Sequence, residues 1–299
     1  MDTVPQIFVQ SVCLCLQDHP SLQESCKISS FWGEICTATR KKIRTLNVIV
    51  DESEGKLYAA VSPPSPKHDS FVALDSVDLK FITNFAIESL FYFAGNLPNG
   101  FKEITLGEFK RLVRFVSPME RGRHPAKYNF ESSNSLSICV PTCRITKQLL
   151  TMRLPVSSIS LLCREHEPAV VDFYENAGPL YFIYDLATHQ PSKIDKFVPV
   201  DSGRFFHFEP LPIDQLETLV LKCEMSDKKV MIKVQLEDCT EKSEVTDFFD
   251  FDKYYLEKKV GKREVIARRK GAKLSVRVSR FTIKGQLQWQ WFDSDNGST

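Results

Sequence analysis

Glycine is scarce in this 299-residue chain, with 12 in all, and no glycine-rich loop of the nucleoside-triphosphate or dinucleotide type can be read anywhere. That absence argues against kinase, GTPase and nicotinamide chemistry. Long apolar runs are missing too. The longest candidate, residues 85–94, is interrupted by Glu88 and bounded by Asn84 and Gly95, too short to cross a bilayer. The start carries acidic Asp2 with neither a basic stretch nor a small-residue cleavage site, so no signal peptide is expected. An excess of one charge is lacking as well. Thirty-nine Lys and Arg balance 38 Asp and Glu, so global charge names no partner. The nine cysteines are odd in number and sit in apolar runs, as at Cys139, Cys163 and Cys223. They read as reduced, buried thiols and not as a disulfide framework, which points to the cytoplasm or nucleus.

Local clusters that could carry chemistry are equally thin. Cys163 and His166 stand three apart, and Cys139 and Cys143 four apart, but neither has the second pair that a zinc site needs. A Cys–His nucleophile could be assembled only from distant positions, and nothing local marks one. His19, His68, His124 and His189 read as loop residues, and His207 lies in an aromatic strand. The block at residues 247–252 alternates Asp with Phe. It offers carboxylates for a divalent cation, although the phenylalanines favour an exposed, partly packed strand or turn. No catalytic residue, metal or cofactor is therefore assigned, and the chain reads as an interaction protein, not an enzyme.

What the sequence does have is core-forming material, at 42% hydrophobic residues with 22 Phe. The length allows one large domain or two smaller ones. Period-two alternation at Leu46, Val48 and Val50, a turn at residues 51–55 and a return over 57–61 predict a hairpin. The run Ser62-Pro63-Pro64-Ser65-Pro66 is the best linker candidate. From about Glu103, strand and helix alternate. A short strand at 104–106 precedes a helix with Phe109, Leu112, Val113 and Val116 at i, i+3, i+4 and i+7. Further strands are expected at 158–163, 180–184, 205–208 and 219–221. A helix is expected over 168–176, with Val170, Val171 and Tyr174 inward, and a helical turn at 213–216. Apolar strands alternating with helices predict parallel pairs. Their spacing of about twenty residues is that of an irregular leucine-rich-like solenoid, although no consensus repeat is visible. The last third reads as antiparallel. Val230, Ile232, Val234 and Leu236 alternate, residues 265–269 and 274–278 flank Lys270-Gly271, and Trp289 and Trp291 share a face of a final strand over 286–292. Residues 293–299 read as a frayed tail.

Charge is segregated late in the chain. Residues 237–252 hold seven acids and one lysine, whereas residues 253–284 hold twelve basic residues and two acids. The cations of this stretch (Lys262, Arg263, Arg268, Arg269, Lys270, Lys273, Arg277 and Arg280) suit an acidic protein partner or, more simply, solvated edge strands. Nucleic acid is disfavoured, because no aromatic residues are interleaved with the basic ones along the sequence.

Most functional information lies in the first thirty-six residues. Val4-Pro5 opens an apolar pattern of Phe8, Val9, Val12 and Leu16, one face of a helix. Pro20-Ser21 can start a second helix carrying Leu22 and Ile28. A third short turn from Ser29-Ser30 places Trp32 and Ile35 on one side. This stretch, from Val4-Pro5 to Ile28-Ser29-Ser30-Phe31-Trp32, resembles an F-box of the kind expanded in nematodes. It departs from that pattern in Val4 for the usual leucine, in Cys13 and Cys15 within the first helix, and in few basic residues near Trp32. The resemblance implies a three-helix module over 1–40 that docks a Skp-type adaptor of an SCF ubiquitin ligase, and through it the cullin. Val4, Pro5, Phe8, Val12, Leu16, Leu22, Ile28, Trp32 and Ile35 would form the docking wedge. A mixed α/β body over 41–292 would hold an unknown substrate protein. In the alternative reading the helices are a structural cap, and the basic C-terminal hairpin binds an acidic protein or nucleic acid.

Overall fold

The computed structural model describes residues 4–16, 19–63, 70–114, 116, 124–139, 143–162, 167–186, 192–237, 240, 243–281 and 285–294. It is a mixed α/β fold in two compact units, one of Met1–Pro125 with Asn129–Ser158, the other of Ala126–Tyr128 with Ile159–Thr299. The division falls within what the sequence presents as one continuous body. The candidate pair Cys163 and His166 lies outside the described residues, as do His68, His189, most of the proline-rich linker candidate and residues 295–299.

The first unit opens with three helices, α1 (Gln6–Cys15), α2 (His19–Ser25) and α3 (Phe31–Lys42). His19 therefore begins a helix and does not sit in a loop. A five-stranded sheet follows, built from β1 (Arg44–Asp51), β2 (Lys56–Ser62), β3 (Ile82–Ser89), β4 (Lys102–Ile104) and β5 (Ser135–Ile138), in the order β5-β3-β1-β2-β4. The β1–β2 hairpin forms as the alternation predicts, with Val48 opposite Ala59. Its turn is fixed by Asp51, whose Oδ1 accepts from the amides of Ser53 and Glu54, and by Gly55 at φ +65°. Beyond the hairpin the sheet turns parallel, with β1 beside β3 and β3 beside β5. α4 (Leu106–Val113) carries the expected stripe, with Phe109, Leu112 and Val113 buried, and Thr105 and Glu108 close a reciprocal cap at its start. α5 (Arg144–Thr151) buries Ile145, Leu149 and Leu150.

Two buried amides satisfy the backbone where successive parallel strands begin. Asn84 donates to the carbonyls of Glu131 and Ser133, and Asn134 accepts from the Phe85 amide while donating to the Pro155 carbonyl. Ser157 continues the series, its hydroxyl accepting from the Asn134 amide at 3.2 Å. Buried carbonyls and amides without such partners would each cost about 1–3 kcal/mol.

The second unit adds strands in chain order. β6 (Ser158–Leu161), β7 (Phe182–Asp185), β8 (Arg204–Leu211) and β9 (Met231–Leu236) are neighbours in that sequence, with β7–β8 and β8–β9 parallel. Between them run α6 (Pro168–Asn176), α7 (Ser192–Lys196) and α8 (Ile213–Ser226). The strand expected at 219–221 is instead the middle of α8. Leu216, Leu219, Val220 and Cys223 recur at helical spacing and are all buried, so the 3.6 period overrides the local apolar triplet. In α6 the inward residues are Val170, Phe173 and Tyr174, whereas Val171 is only partly covered. An antiparallel run then extends the same sheet through β10 (Glu257–Val260), β11 (Glu264–Arg268), β12 (Leu274–Phe281) and β13 (Gln286–Asp293), in the order β10-β11-β12-β13-β9. The β11–β12 hairpin turns at Gly271, at φ +74°. Trp289 and Trp291 point together into the core. Asp293, expected to fray, ends β13 and pairs with Lys229 at 2.5 Å. The Asp–Phe block is neither an exposed strand nor an open turn. It runs into α9 (Phe251–Tyr254), and Phe248, Phe249 and Phe251 are buried.

The polar centre of this unit is an ion pair with almost no solvent contact. Lys193 Nζ lies 2.7 Å from Asp185 Oδ2, and Tyr174 donates its hydroxyl to the same oxygen at 2.6 Å. The ammonium also stands 5.2 Å from the centre of the Tyr174 ring. The three groups tie α6, β7 and α7 to one point. Burial lowers the Lys193 pKa, against the pull of Asp185. Burial, then Asp185, raises that of Tyr174 well above its usual value. A second buried carboxylate, Glu224 at the end of α8, accepts from Tyr255 at 2.9 Å and from the Trp291 indole at 2.7 Å.

Lys193→Ala leaves Asp185 buried without its cation and should lower stability by about 3–5 kcal/mol in urea denaturation. The double change Lys193→Met with Asp185→Leu should cost less than Lys193→Ala alone, because both desolvated charges go together. A tyrosine whose folded pKa is raised stabilises the fold below its unfolded pKa of about 10, and that contribution is lost as the pH climbs past it. Thermal midpoints should therefore fall between about pH 9 and about pH 11, and Tyr174→Phe should flatten part of that slope.

Candidate functional site

The three N-terminal helices close a small core of their own. Val9, Cys13, Leu22, Ile35, Cys36 and Ile43 are buried together, and Val4, Leu14, Leu16, Cys26 and Trp32 pack partly against them. Among the described residues none beyond Ile43 belongs to that cluster. The core stripe of α1 is Val9 and Cys13, four apart, and it is rotated from the stripe that the spacing of Phe8, Val12 and Leu16 suggests. Phe8 is 54% exposed and Ile7 74%. Val12 and Leu16 are half-buried. Cys13, read from sequence as an interruption, is a core residue, in keeping with the apolar character of a free thiol.

α3 is a helix of twelve residues rather than a short turn. Ser30 caps it, its hydroxyl accepting from the Trp32 amide at 3.3 Å. Ile28 lies beyond the end of α2, in the turn that leads to α3, and is exposed, as is Phe31. Gly33 lets that turn approach, because a Cβ at this position would run into the Ile28 carbonyl oxygen. A cleft of about 520 Å³ lies alongside, lined by Cys26, Ile28, Ser30, Gly33, Glu34 and Lys41. Arg40, Lys41 and Lys42 end α3, where cations suit the helix dipole.

The nine residues of the expected wedge thus divide. Leu22 and Ile35 are interior and act by shaping the module. Val4, Val12, Leu16 and Trp32 are half-buried, and Pro5, Phe8 and Ile28 are exposed. The wedge drawn from sequence leaves out Ile7 and Phe31, the other large apolar side chains on the outside. Their signal was present as apolar residues beside, not within, the periodic stripe.

Cys13 and Cys36 face each other across α1 and α3 with sulfurs 3.0 Å apart. Burial first, and the hydrogen bond to Cys36 second, push the Cys13 thiol up to about 12, so it remains a protonated packing group at neutral pH.

The eight late cations do not gather into one patch. Arg269 reaches back to Glu224 at 3.8 Å and to the Met225 sulfur. Arg268 folds onto the Ala272 carbonyl of its own turn. Arg280 donates to the carbonyls of Thr240 and Ser243. Arg277 lies 3.8 Å from Glu264 and over the Phe292 ring. Lys262, Arg263, Lys270 and Lys273 are exposed around the two hairpin ends. Beside the Asp–Phe block a cleft of about 460 Å³ is lined by Glu217, Asp247, Asp250, Asp252, Lys253 and Lys258 among others. Its four carboxylates are all engaged, Glu217 with Lys253 and Tyr254, Asp252 with Lys258, Asp247 with the Glu244 amide and Asp250 with the Lys253 amide. Among the described residues no group of three or more His, Cys, Asp or Glu side chains could hold a metal ion. No helix among them is long and apolar enough to cross a membrane.

Gly33→Ala should unseat the turn before α3 and destabilise the helical module, seen as earlier melting and faster proteolysis within the first forty-odd residues. Gly178→Ala, whose Cβ meets nothing within 4 Å, should leave both unchanged. Compared with known proteins, the chain matches no family model, no curated sequence and no solved structure.

Proposed function

We propose that the N-terminal helices are an F-box-like docking module for a Skp-type adaptor of an SCF ubiquitin ligase, and that the α/β body holds the protein to be modified. One observation carries this reading. The module satisfies its own core with residues 4–43 and still leaves Ile7, Phe8, Ile28 and Phe31 exposed. A cap folded onto the sheet would be expected to spend those side chains against it. Large apolar groups left exposed on helices that already have a core of their own are characteristic of interaction surfaces.

The body fits the role of a scaffold. Strands that are neighbours in chain order begin at residues 158, 182, 204 and 231, those from 182 onward in parallel, with helices between them. In the first unit, buried asparagines bridge successive strand starts. Both features favour a leucine-rich-like, irregular solenoid, an architecture that presents a long surface. Such a chain performs no bond chemistry itself. It joins two binding events, and transfer is accelerated because the target is held near the ligase.

The test is capture of a purified Skp-type adaptor by the full-length chain. Phe8→Ala with Ile7→Ala removes exposed side chains and leaves the core intact, so folding should be retained. We expect adaptor recovery from the wild type and a loss of tenfold or more from the variant, since central apolar anchors contribute about 2 kcal/mol or more each. A Trp32→Ala, Pro5→Ala variant should lose capture as well. An adaptor that ignores the wild-type chain at micromolar concentration would overturn the proposal and favour the cap.

A further inference from the structure

The second unit's sheet is covered unequally on its two sides. Ile183, Phe205, His207, Ile232 and Val234 point to one side and are buried. The alternate residues of the same strands remain partly open. Register places them in two rows. One reads Phe182, Arg204, Met231, Gln290 and Arg277 across β7, β8, β9, β13 and β12. The other reads Tyr184, Phe206, Lys233, Gln288 and Ser279 across the same strands.

The aromatic side chains on this face form a connected set. Tyr184 lies 5.0 Å from Phe208 and 6.1 Å from Phe206, and Phe206 lies 6.1 Å from Phe182. Cations sit directly among them. Lys233 Nζ is 4.6 Å from the centre of the Phe281 ring and 5.9 Å from that of Phe208, and Arg277 covers Phe292 at 5.2 Å. Neither Lys233 nor Arg204 has a carboxylate partner among the described residues, and Arg277 meets Glu264 only at 3.8 Å. Beside Arg204 the face continues into a cleft of about 320 Å³ lined by Met231, Gln290 and Phe292, and by Lys229 with its partner Asp293. Between the cations runs a file of glutamines, Gln286, Gln288 and Gln290, alternate residues of one strand and about 7 Å apart. Each amide can both donate and accept.

We infer that this face binds single-stranded nucleic acid. The chemistry on it comes in two kinds at once, π surfaces and cations, and of those cations Lys233 and Arg204 are not neutralised by a carboxylate among the described residues, whereas Arg277 has Glu264 at 3.8 Å. A simply acidic peptide would use the cations and leave the rings idle. An apolar peptide would use the rings and desolvate Lys233 and Arg204 without a counter-charge. Every unpaired nucleotide carries an anion and a planar base together, and stacking on aromatic rings tolerates any base. The glutamine file offers hydrogen bonds to base edges. The interleaving of aromatic with basic residues, absent along the sequence, is supplied by the sheet: the rings come largely from β7 and β8, the cations from β8, β9 and β12. Double-stranded nucleic acid is excluded from this mode, because its bases are stacked on each other.

The experiment is fluorescence anisotropy of the full-length chain against labelled single-stranded RNA and DNA of mixed sequence, a duplex of the same sequence, and a poly-glutamate peptide. We expect single strands to bind in roughly the micromolar range with affinity that falls as salt rises, and the duplex to bind more weakly. Phe206→Ala and Lys233→Glu should each weaken binding by about tenfold, while Phe206→Trp retains it. Gln288→Glu adds only a surface carboxylate and should weaken binding even if Phe206→Ala fails to fold. Absence of oligonucleotide binding, preference for poly-glutamate, or binding that survives Lys233→Glu and Gln288→Glu would each overturn the inference. Adaptor capture by the N-terminal helices should be the same in all these variants, so either proposal can fail without the other.

Discussion

A parallel strand cannot follow its neighbour by a tight turn. The chain must return over the sheet, and a right-twisted strand makes that crossover with one hand. This constraint organises much of the second unit. With β6, β7, β8 and β9 added in chain order, the intervening helices are drawn to one face, where Ile183, Phe205 and Val234 are buried. The opposite face is left to alternate residues that remain partly open, with Tyr128 stacked on Phe182 at one edge. What fills the core and what is left partly open are therefore set by the same geometry.

That geometry also forces polar groups inside, and several at strand and helix ends are answered, although Ser192 Oγ and Gln215 Oε1 at the starts of α7 and α8 are not, among the described residues. Asp185 at the end of β7 lies where α6 and α7 close over the strand, and it is met by Lys193 and Tyr174. Glu224 at the end of α8 is met by Tyr255 and Trp291 from elements far along the chain. In the first unit Asn84 and Asn134 take up backbone groups of the connecting segments. A buried ion pair adds little net stability over well-packed apolar side chains. Its consequence here is positional, because displacing any one of α6, β7 and α7 exposes a charge to a medium that cannot solvate it.

The N-terminal helices follow a different logic. So short a segment has little interior, and six buried side chains are what it can enclose. Two of those six are cysteines, small enough to let α1 and α3 approach. The remaining apolar surface has nowhere to go within the module. This is the physical basis for reading it as a docking surface, and it stands apart from the resemblance of its sequence to an F-box.

By itself the sequence determined the strongly periodic elements: the 44–62 hairpin, the stripe of α4, the proline-started α6, the alternation of β9 and the Gly271 hairpin. In each, local spacing and the burial that stabilises it agree. It did not determine residues 219–221, where three apolar residues suit strand or helix and only the packing of Leu216 and Cys223 decides. Nor did it fix which side of α1 turns inward. Phe8 is the larger apolar group, yet the close approach of α3 selects the smaller Cys13. Whether aromatic rings and cations share a surface was beyond it altogether. Phe206 and Lys233 are 27 positions apart in the chain and adjacent in register only because β8 and β9 pair in parallel. Side-chain neighbourhoods across strands are set by hydrogen-bond register between segments, a property that no local pattern encodes.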